Sequence, residues 1–529
     1  MAGLSDLAFL AAAPCGSGRA GSLCRMTSRS RVAIVGAGIA GLACAKVLRQ
    51  EGFPVEVFDR APDVGGVWSA TRRYPGLRAQ SSSRTYRFSD HPMPEDFPDR
   101  LDGAQMQSYL EGYVRRFDLG HALRLNTEVV AADPVDSGWL LEVRDGTGVH
   151  RTSCDHLIIA NGVHSDPRVP EFTGSVDFHR AGGQLGHSSL LSDLAAARGR
   201  NVVVVGYGTA ACEIAEAISH VAASTTVVAR RLRWKLARRA GRFLDAERLL
   251  QSRFGESHFG YQRQRRPEKF LNGPGRSVRD SNLDVIQERT IRSLHLRELE
   301  LVPAEPFGTV AHGTVDLAVD GFTEQVWAGR LTVVRDTEIS ALGAEKVPVA
   351  HLSDGQTIPA DLVICATGYR QRVPFLTPFV QRQLTDDAGN FRLYRQILPP
   401  TVPRLSFAGY GGSALSALAA EVGAHWTAAL LTHRLDLPGP TAMGEALDER
   451  LSWLAERTGG GTHGTEAGPF GVHHIDELLA DLHAEFPARL RFAQWFRPVT
   501  PDDLRVIGAP KLERDTQPRP VDQVAAVQH

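Results

Sequence analysis

The sequence has no Cys-x-x-Cys pair. Its six cysteines (Cys15, Cys24, Cys44, Cys154, Cys212 and Cys365) stand apart, several inside apolar runs. That excludes a dithiol redox centre and reads as reduced, buried thiols of a cytoplasmic protein. No apolar stretch reaches the roughly 18 residues that a membrane-spanning helix needs. The nearest candidate, residues 7–13, is short and follows Asp6 where a signal peptide would be basic. An excess of charge of one sign is also missing. Lys and Arg number 59 and Asp and Glu 60, for a net charge of -1. So even a balance argues against nucleic acid or an anionic membrane surface as the main partner. Lysine itself is scarce, at Lys46, Lys235, Lys269, Lys346 and Lys511 only, which reads as codon bias before function. Nothing resembles a Ser/His/Asp triad. The His473-His474 pair looks exposed and has no further ligand spacing, so no metal is expected.

The 529 residues suit two to four domains. The 43% hydrophobic and 22% charged composition is that of a globular chain with a sizeable core. Residues 1–25 carry no structural pattern, and Met26 stands just before the first strand signal. They are expected to be a disordered extension.

Arg31-Val-Ala-Ile-Val35 is a short β-branched run and reads as a buried parallel strand. Gly36-Ala-Gly38-Ile-Ala-Gly41 follows, then a helical pattern, then the strand Val55-Glu-Val-Phe58 ending at Asp59 and Arg60. This is a βαβ unit with GxGxxG at its first turn. Gly36 permits the tight turn, Gly38 lets backbone approach a pyrophosphate, and Gly41 lets helix pack on strand. The helix N-terminus offers unpaired N–H groups to phosphate, and Asp59 is placed to accept from ribose hydroxyls.

The pattern recurs. Asn201-Val-Val-Val-Val205 is followed by Gly206-Tyr-Gly208-Thr209-Ala-Ala211, a helix, and the strand Thr226-Val-Val-Ala229. Here the strand ends in Arg230-Arg231 instead of an acid. An acid would suit the 2′-hydroxyl of NAD, whereas an arginine pairs with the 2′-phosphate of NADP. Arg230 is the main candidate and Arg231 a weaker one. One acidic and one basic dinucleotide site in a single chain point to a flavoprotein, with FAD in the first site and NADPH delivering hydride from the second. A reductase of the dithiol type would share both sites but needs the absent Cys-x-x-Cys.

Six further segments carry a family likeness: Gly65-Gly66-Val-Trp68; Tyr74-Pro-Gly-Leu77 with Tyr86-Arg-Phe-Ser-Asp90-His-Pro-Met-Pro-Glu-Asp-Phe-Pro98; Ile364-Cys-Ala-Thr367-Gly368-Tyr369; and Phe407-Ala-Gly409-Tyr-Gly411 with Ala419-Ala-Glu-Val-Gly-Ala-His-Trp426. Together they resemble the flavin-containing monooxygenases and their Baeyer–Villiger relatives, the class B flavoprotein monooxygenases. The resemblance runs from about residue 30 to about 435. It implies hydride transfer from NADPH to FAD, a C4a-hydroperoxyflavin, and oxygenation of a small organic substrate. It adds Gly66, Trp68, Thr367, Gly368 and Gly409 to the cofactor residues, although Trp68 also reads as core packing.

Two departures bear on the reaction. The family's fingerprint before the second glycine motif is half kept, in Gly183-Gln-Leu-Gly-His187, where His187 matches and both aromatic ends are replaced. The nitrogen- and sulfur-oxygenating members place an Asn where this chain has Gln80. By that resemblance Gln80 and His187 are the catalytic candidates. Oxygenation at nitrogen or sulfur is the expected outcome. Baeyer–Villiger oxygenation of a ketone and flavin reduction without oxygen transfer are the alternatives. Substrate identity and oligomeric state are left open.

The expected architecture is α/β, with an NADPH domain inserted in an FAD domain. The FAD domain is expected over 26–170 and 336–440, and the NADPH domain over 171–335. An Arg- and Gly-rich insertion at 254–302 reads as a lid over the cleft, and 441–529 as a helical segment with a tail. The basic stretch 230–242 is expected to be an exposed face.

If Arg230 reads the 2′-phosphate, NADPH should outperform NADH roughly ten- to a hundredfold, the worth of one charge-assisted contact. Arg230→Ala should raise KM for NADPH and leave NADH kinetics nearly unchanged. Steady-state rates with both cofactors check this, and an equal loss with both would show a packing role.

Overall fold

In the computed structural model the described residues are 30–240, 244–312, 315–459, 463–465 and 468–507. The expectations for residues 1–25, the Gly-rich loop around 460 and the tail after 512 lie outside them. Among the described residues no helix is long and apolar enough to cross a membrane.

Two five-stranded parallel sheets form the frame. The first has the order Leu405–Phe407, His156–Ile159, Val32–Val35, Val55–Phe58, Leu123–Arg124. Its central strand is buried along its whole length, as a parallel strand covered on both faces must be. The helices Ile39–Gln50 and Ser416–Leu431 pack together over it, and both are buried on most of their surface. The second sheet has the order Thr332–Arg335, Ser224–Ala229, Asn201–Val205, Leu362–Cys365, Gln184–His187. The helix Thr209–Ile218 covers one face of it. An antiparallel three-stranded sheet (Ile339–Ala344, Pro348–Leu352, Thr357–Pro359) packs with Phe178 on the other.

The strand Leu362–Cys365 corrects the expected chain path. It falls in the 336–440 range expected to belong with the first unit, but it pairs with Asn201–Val205 and Gln184–His187 in the second sheet. Four consecutive buried residues need a neighbour on each edge to satisfy their backbone, and that sheet supplies both. The strand that re-enters the first sheet is Leu405–Phe407. The two crossings between the units lie side by side, Tyr369–Arg370 pairing antiparallel with Asp166–Pro167.

The start of the stretch read as a lid is fastened to the helix Gly471–Asp481. Arg253 forks onto Asp476 at 2.5 and 2.8 Å, Arg265 pairs with the same carboxylate, and the Tyr261 hydroxyl donates to Glu477 at 2.8 Å. His473 and His474 are only 4% and 6% exposed, against the expectation of a surface pair. His473 bridges Glu256 and Glu268 at 2.7 and 2.9 Å. The basic stretch after 230 is likewise not one exposed face. Lys235 is buried and Arg238 half-buried, because alternate residues of the segment enter the core of the second unit.

Burial alone pulls the His473 imidazole down. Its hydrogen bonds and charge pairing with Glu256 and Glu268 outweigh that and raise it to about 9. A pKa above the unfolded value gives stability that is complete below about pH 6.5 and lost as pH rises through the folded value. The melting temperature of the wild type should therefore fall between about pH 7 and about pH 9.5. His473→Gln should melt lower at neutral pH and show a shallower slope over that range in a thermal melt series.

Candidate functional site

The first glycine turn is fixed by backbone contact. Gly36 has φ of 118°, and a Cβ there would stand 2.2 Å from the carbonyl oxygen of Ala160. At Gly41 a Cβ would stand 1.9 Å from the Gly36 carbonyl oxygen. The segment at Gly65–Gly66 lies over this turn, its Gly65 N–H donating to the Ala37 carbonyl at 3.0 Å. Gly66 approaches so closely that its Cβ would be 3.1 Å from the Gly38 Cα. The helix Ile39–Gln50 starts at Gly38 with no side-chain cap and no acid in its first turn. Its first N–H groups and dipole are left to an anion, and a main-chain approach is all that glycines permit. Asp59 closes the turn, its two oxygens accepting from the Ala37 N–H at 2.7 Å and the Ala61 N–H at 2.8 Å. Each oxygen retains a lone pair for a hydroxyl. Gly409 abuts the same turn, since a Cβ there would lie 2.8 Å from the Cβ of Ala40. Trp68 is buried edge-on to Tyr86 beside this cradle, while Arg60 is exposed.

The second turn repeats the first. Gly206 has φ of 119°, and its Cβ would be 2.7 Å from the Ala366 carbonyl oxygen. The helix Thr209–Ile218 begins at Gly208, again with no side-chain cap and no first-turn acid. No heavy atom would lie within 4 Å of a Cβ at Gly208, and Ala211 is fully buried against the sheet. Arg230 and Arg231 stand exposed at the end of the following strand. Glu338 and Glu305 lie 3.8 and 4.0 Å away, too loose to immobilise either side chain. Thr367 and Gly368 belong to this turn, and the Thr367 hydroxyl donates to the Arg168 carbonyl across the crossing. The repetition extends to Ala160-Asn-Gly162 and Ala366-Thr-Gly368, each ending in a glycine of positive φ, at 78° and 81°. Sequence reading had the second of these and missed the first.

His187 is buried at the end of its strand. Its Nε2 donates to the Gly368 carbonyl at 2.9 Å, and its Nδ1 lies 3.0 Å from the Ser189 hydroxyl. Burial lowers its pKa, so it stands as a neutral imidazole holding the Thr367-Gly368 turn. Gln80 lies between the two units. Its amide N–H donates to Glu213 at 3.1 Å, and its amide oxygen accepts from Arg238 at 3.2 Å.

Several charged residues at the site were not singled out from the sequence. The Ser89 N–H donates to Glu421 at 2.8 Å, its hydroxyl donates to the same carboxylate, and Lys46 pairs with Asp90 at 2.7 Å. The Phe-Ser-Asp motif thus pins a loop to the two helices over the first sheet. Burial, then Asp90, push Glu421 up to about 7. Beside the second turn, Lys235 donates to the Tyr207 carbonyl at 2.6 Å and faces Asp316 at 3.7 Å, while Asp316 accepts from Thr209. Lys46, Glu213 and Glu421 share one signal, a charge on the buried part of an apolar helix, whereas Asp90, Lys235 and Asp316 lie outside helices and carry none.

With that geometry in hand, the comparisons are specific. Residues 29–270 match the family model described as flavin-binding monooxygenase-like. The chain is 25% identical over 517 residues to flavin-containing monooxygenase 3 of Canis lupus familiaris, covering 91% of this chain and 89% of that protein. It is 31% identical over 223 residues to the N-oxide-forming dimethylaniline monooxygenase 2 of Rattus norvegicus, covering 39% and 41%. Among solved structures it resembles S-allyl-L-cysteine S-oxygenase from Allium sativum (TM-score 0.59, 19% identity, 92% and 94% covered). It also resembles cyclohexanone monooxygenase in an open state (TM-score 0.63, 18% identity, 86% and 98% covered). At these identities the structures speak to the fold.

Gly66→Ala should separate binding from folding. A left-handed alanine costs about 1–2 kcal/mol, and its methyl narrows the cradle. The variant should fold but purify with less flavin and show weaker FAD binding on titration. Full flavin content, read from the ratio of visible to ultraviolet absorbance, would place the cofactor elsewhere.

Proposed function

We propose, on the premise that this chain belongs to the flavin-binding monooxygenase-like family, that it oxygenates a small organic substrate at nitrogen or sulfur. It is an FAD- and NADPH-dependent monooxygenase. The observation that carries the reading is the pair of uncapped glycine-turn helices, one followed by Asp59 and one by Arg230.

Bound FAD and NADPH supply the redox chemistry, hydride delivery and the activation of O2. The chain supplies position and dryness. Gly36, Gly38, Gly41 and Gly66 would hold the FAD pyrophosphate by main-chain N–H groups, with Asp59 on the ribose. Gly206, Gly208, Thr209 and Ala211 would form the matching support for NADPH, with Arg230 and Arg231 toward the 2′-phosphate. His187 keeps the Thr367-Gly368 turn in place from below.

Gln80 supports the heteroatom reading. It presents an amide in the segment between the cradles, and one of its two N–H groups is spent on Glu213. The other suits a hydrogen bond to an oxygen atom at the reacting centre. Similarity to the N-oxide-forming relative supports the same outcome.

The test is a panel of tertiary amines, sulfides and cyclic ketones, following NADPH oxidation, peroxide release and product together. N-oxides or sulfoxides should dominate. Lactones as the main product would move the enzyme to the Baeyer–Villiger reading, and peroxide alone with every substrate would leave an NADPH oxidase. Gln80→Ala should still consume NADPH but divert it to peroxide, lowering product per NADPH roughly tenfold, about one lost hydrogen bond. Gln80→Asn should retain part of the coupling.

A further inference from the structure

A strap of the first unit, residues 74–80, is sewn to the second unit by one buried carboxylate. Glu213 lies in the first turns of the helix Thr209–Ile218 and is 3% exposed. The Tyr74 hydroxyl donates to one of its oxygens at 2.8 Å, and the Gln80 amide donates to the other at 3.1 Å. The strap comes this close to the helix because Gly76 has φ of 88° and no side chain. A Cβ there would stand 2.8 Å from the Glu213 carbonyl oxygen and 3.2 Å from the Ala217 Cβ.

Arg238 completes the arrangement from the other side. It donates to the Gln80 backbone carbonyl at 3.0 Å, to the Gln80 amide oxygen at 3.2 Å and to the Ala318 carbonyl at 3.1 Å. Both ends of the Gln80 amide are therefore assigned by the second unit, and with them which way its N–H groups point. The next stretch of the strap is held separately. Glu247 accepts from the Ser82 N–H at 3.2 Å, from the Ser82 hydroxyl at 2.7 Å and from Thr85.

We propose that Glu213 is a positioning residue: from the NADPH-side helix it fixes the strap and the orientation of Gln80, and so sets the register between the two nucleotide cradles. This rests on the monooxygenase reading only for the consequence it has on coupling. A buried carboxylate with no ligand of its own is costly to keep, and one that accepts from two donors of the opposite unit, one on each oxygen, recovers that cost only while the units are in register.

The charge state matters, because Tyr74 and Gln80 both donate and both oxygens must accept. Burial raises the Glu213 carboxyl to about 7. The hydrogen bond from Tyr74 and the charges of Arg238 and Arg100 act against that rise. Also facing the cluster are Asp320, which pairs with Arg100 and Arg238, Glu247 beside Arg238, Tyr369 beside Tyr74, and the thiol of Cys212, which burial pushes up to about 11. As pH falls through neutrality Glu213 takes a proton, one oxygen becomes a donor, and the grip on the strap weakens.

The experiment has two arms on the purified flavoprotein. Hydrogen exchange followed by mass spectrometry should show residues 74–80 exchanging about tenfold faster in Glu213→Ala, with strands 32–35 and 201–205 unchanged. Glu213→Gln should lie between, and Tyr74→Phe should reproduce part of the effect if Glu213→Ala does not fold. Unchanged strap exchange, or an equal increase across both sheets, would overturn the proposal. In the second arm the wild-type peroxide fraction should rise as pH falls from about 8 to about 6. Glu213→Gln should show a raised fraction that no longer varies with pH, and Gln80→Ala combined with it should be no worse than Gln80→Ala alone. A wild-type pH profile in Glu213→Gln, or additive losses in the double variant, would equally overturn it. If no substrate is oxygenated at all, the exchange arm still decides the proposal by itself.

Discussion

A backbone contact made twice underlies the nucleotide-binding frame. At Gly36 and at Gly206 the chain passes so close to the carbonyl oxygen of Ala160 or Ala366 that no Cβ fits. The N–H groups at the same two turns close the parallel register, Gly36 to Phe58 at 2.8 Å and Gly206 to Val228 at 3.0 Å. That contact fixes where each strand ends and where each helix begins, so it fixes the direction in which an uncapped N-terminus points. The strand-end residues Ala160-Asn-Gly162 and Ala366-Thr-Gly368 then turn out of each sheet with positive φ, and the chain leaves one unit for the other there. Helix start and domain connection are thus set by the same few ångströms.

The second organising feature is how buried charge is paired. Glu213, Glu421 and Glu256 all lie in the interior, and each accepts from backbone or side-chain donors on a different segment. An unpaired carboxylate in such a place is expensive, so each pairing ties together two parts of the chain far apart in sequence. Ser89 and Asp90 fasten the loop beneath the first cradle to two helices. Glu213 fastens the strap to the second cradle. Glu256 and Glu268, through His473, fasten the start of the 254–302 stretch to the helix Gly471–Asp481.

The two glycine motifs, the strands around them and the acid-to-arginine change between Asp59 and Arg230 were legible in the sequence. Each is a local pattern whose spacing is dictated by one turn of backbone. The partners of Gln80 were not legible, because Glu213 and Arg238 are remote from it in sequence and come to it only when two sheets dock. The strand Leu362–Cys365 was legible as a strand but not as a member of the second sheet. Four apolar residues state their burial and not which edge receives them. His473-His474 misled for a related reason: histidine is compatible with surface or interior, and only the carboxylates of a distant segment decide.

By itself, then, the sequence determined two glycine turns that each open an uncapped helix, with an acid after one strand and an arginine after the other. These follow from residues a few positions apart, where bond geometry leaves little freedom. The tertiary structure alone decided how the two turns face each other, which way the Gln80 amide points and which buried charges neutralise one another. Those outcomes depend on contacts between segments a hundred or more residues apart, and no local pattern encodes the free energy of bringing them together.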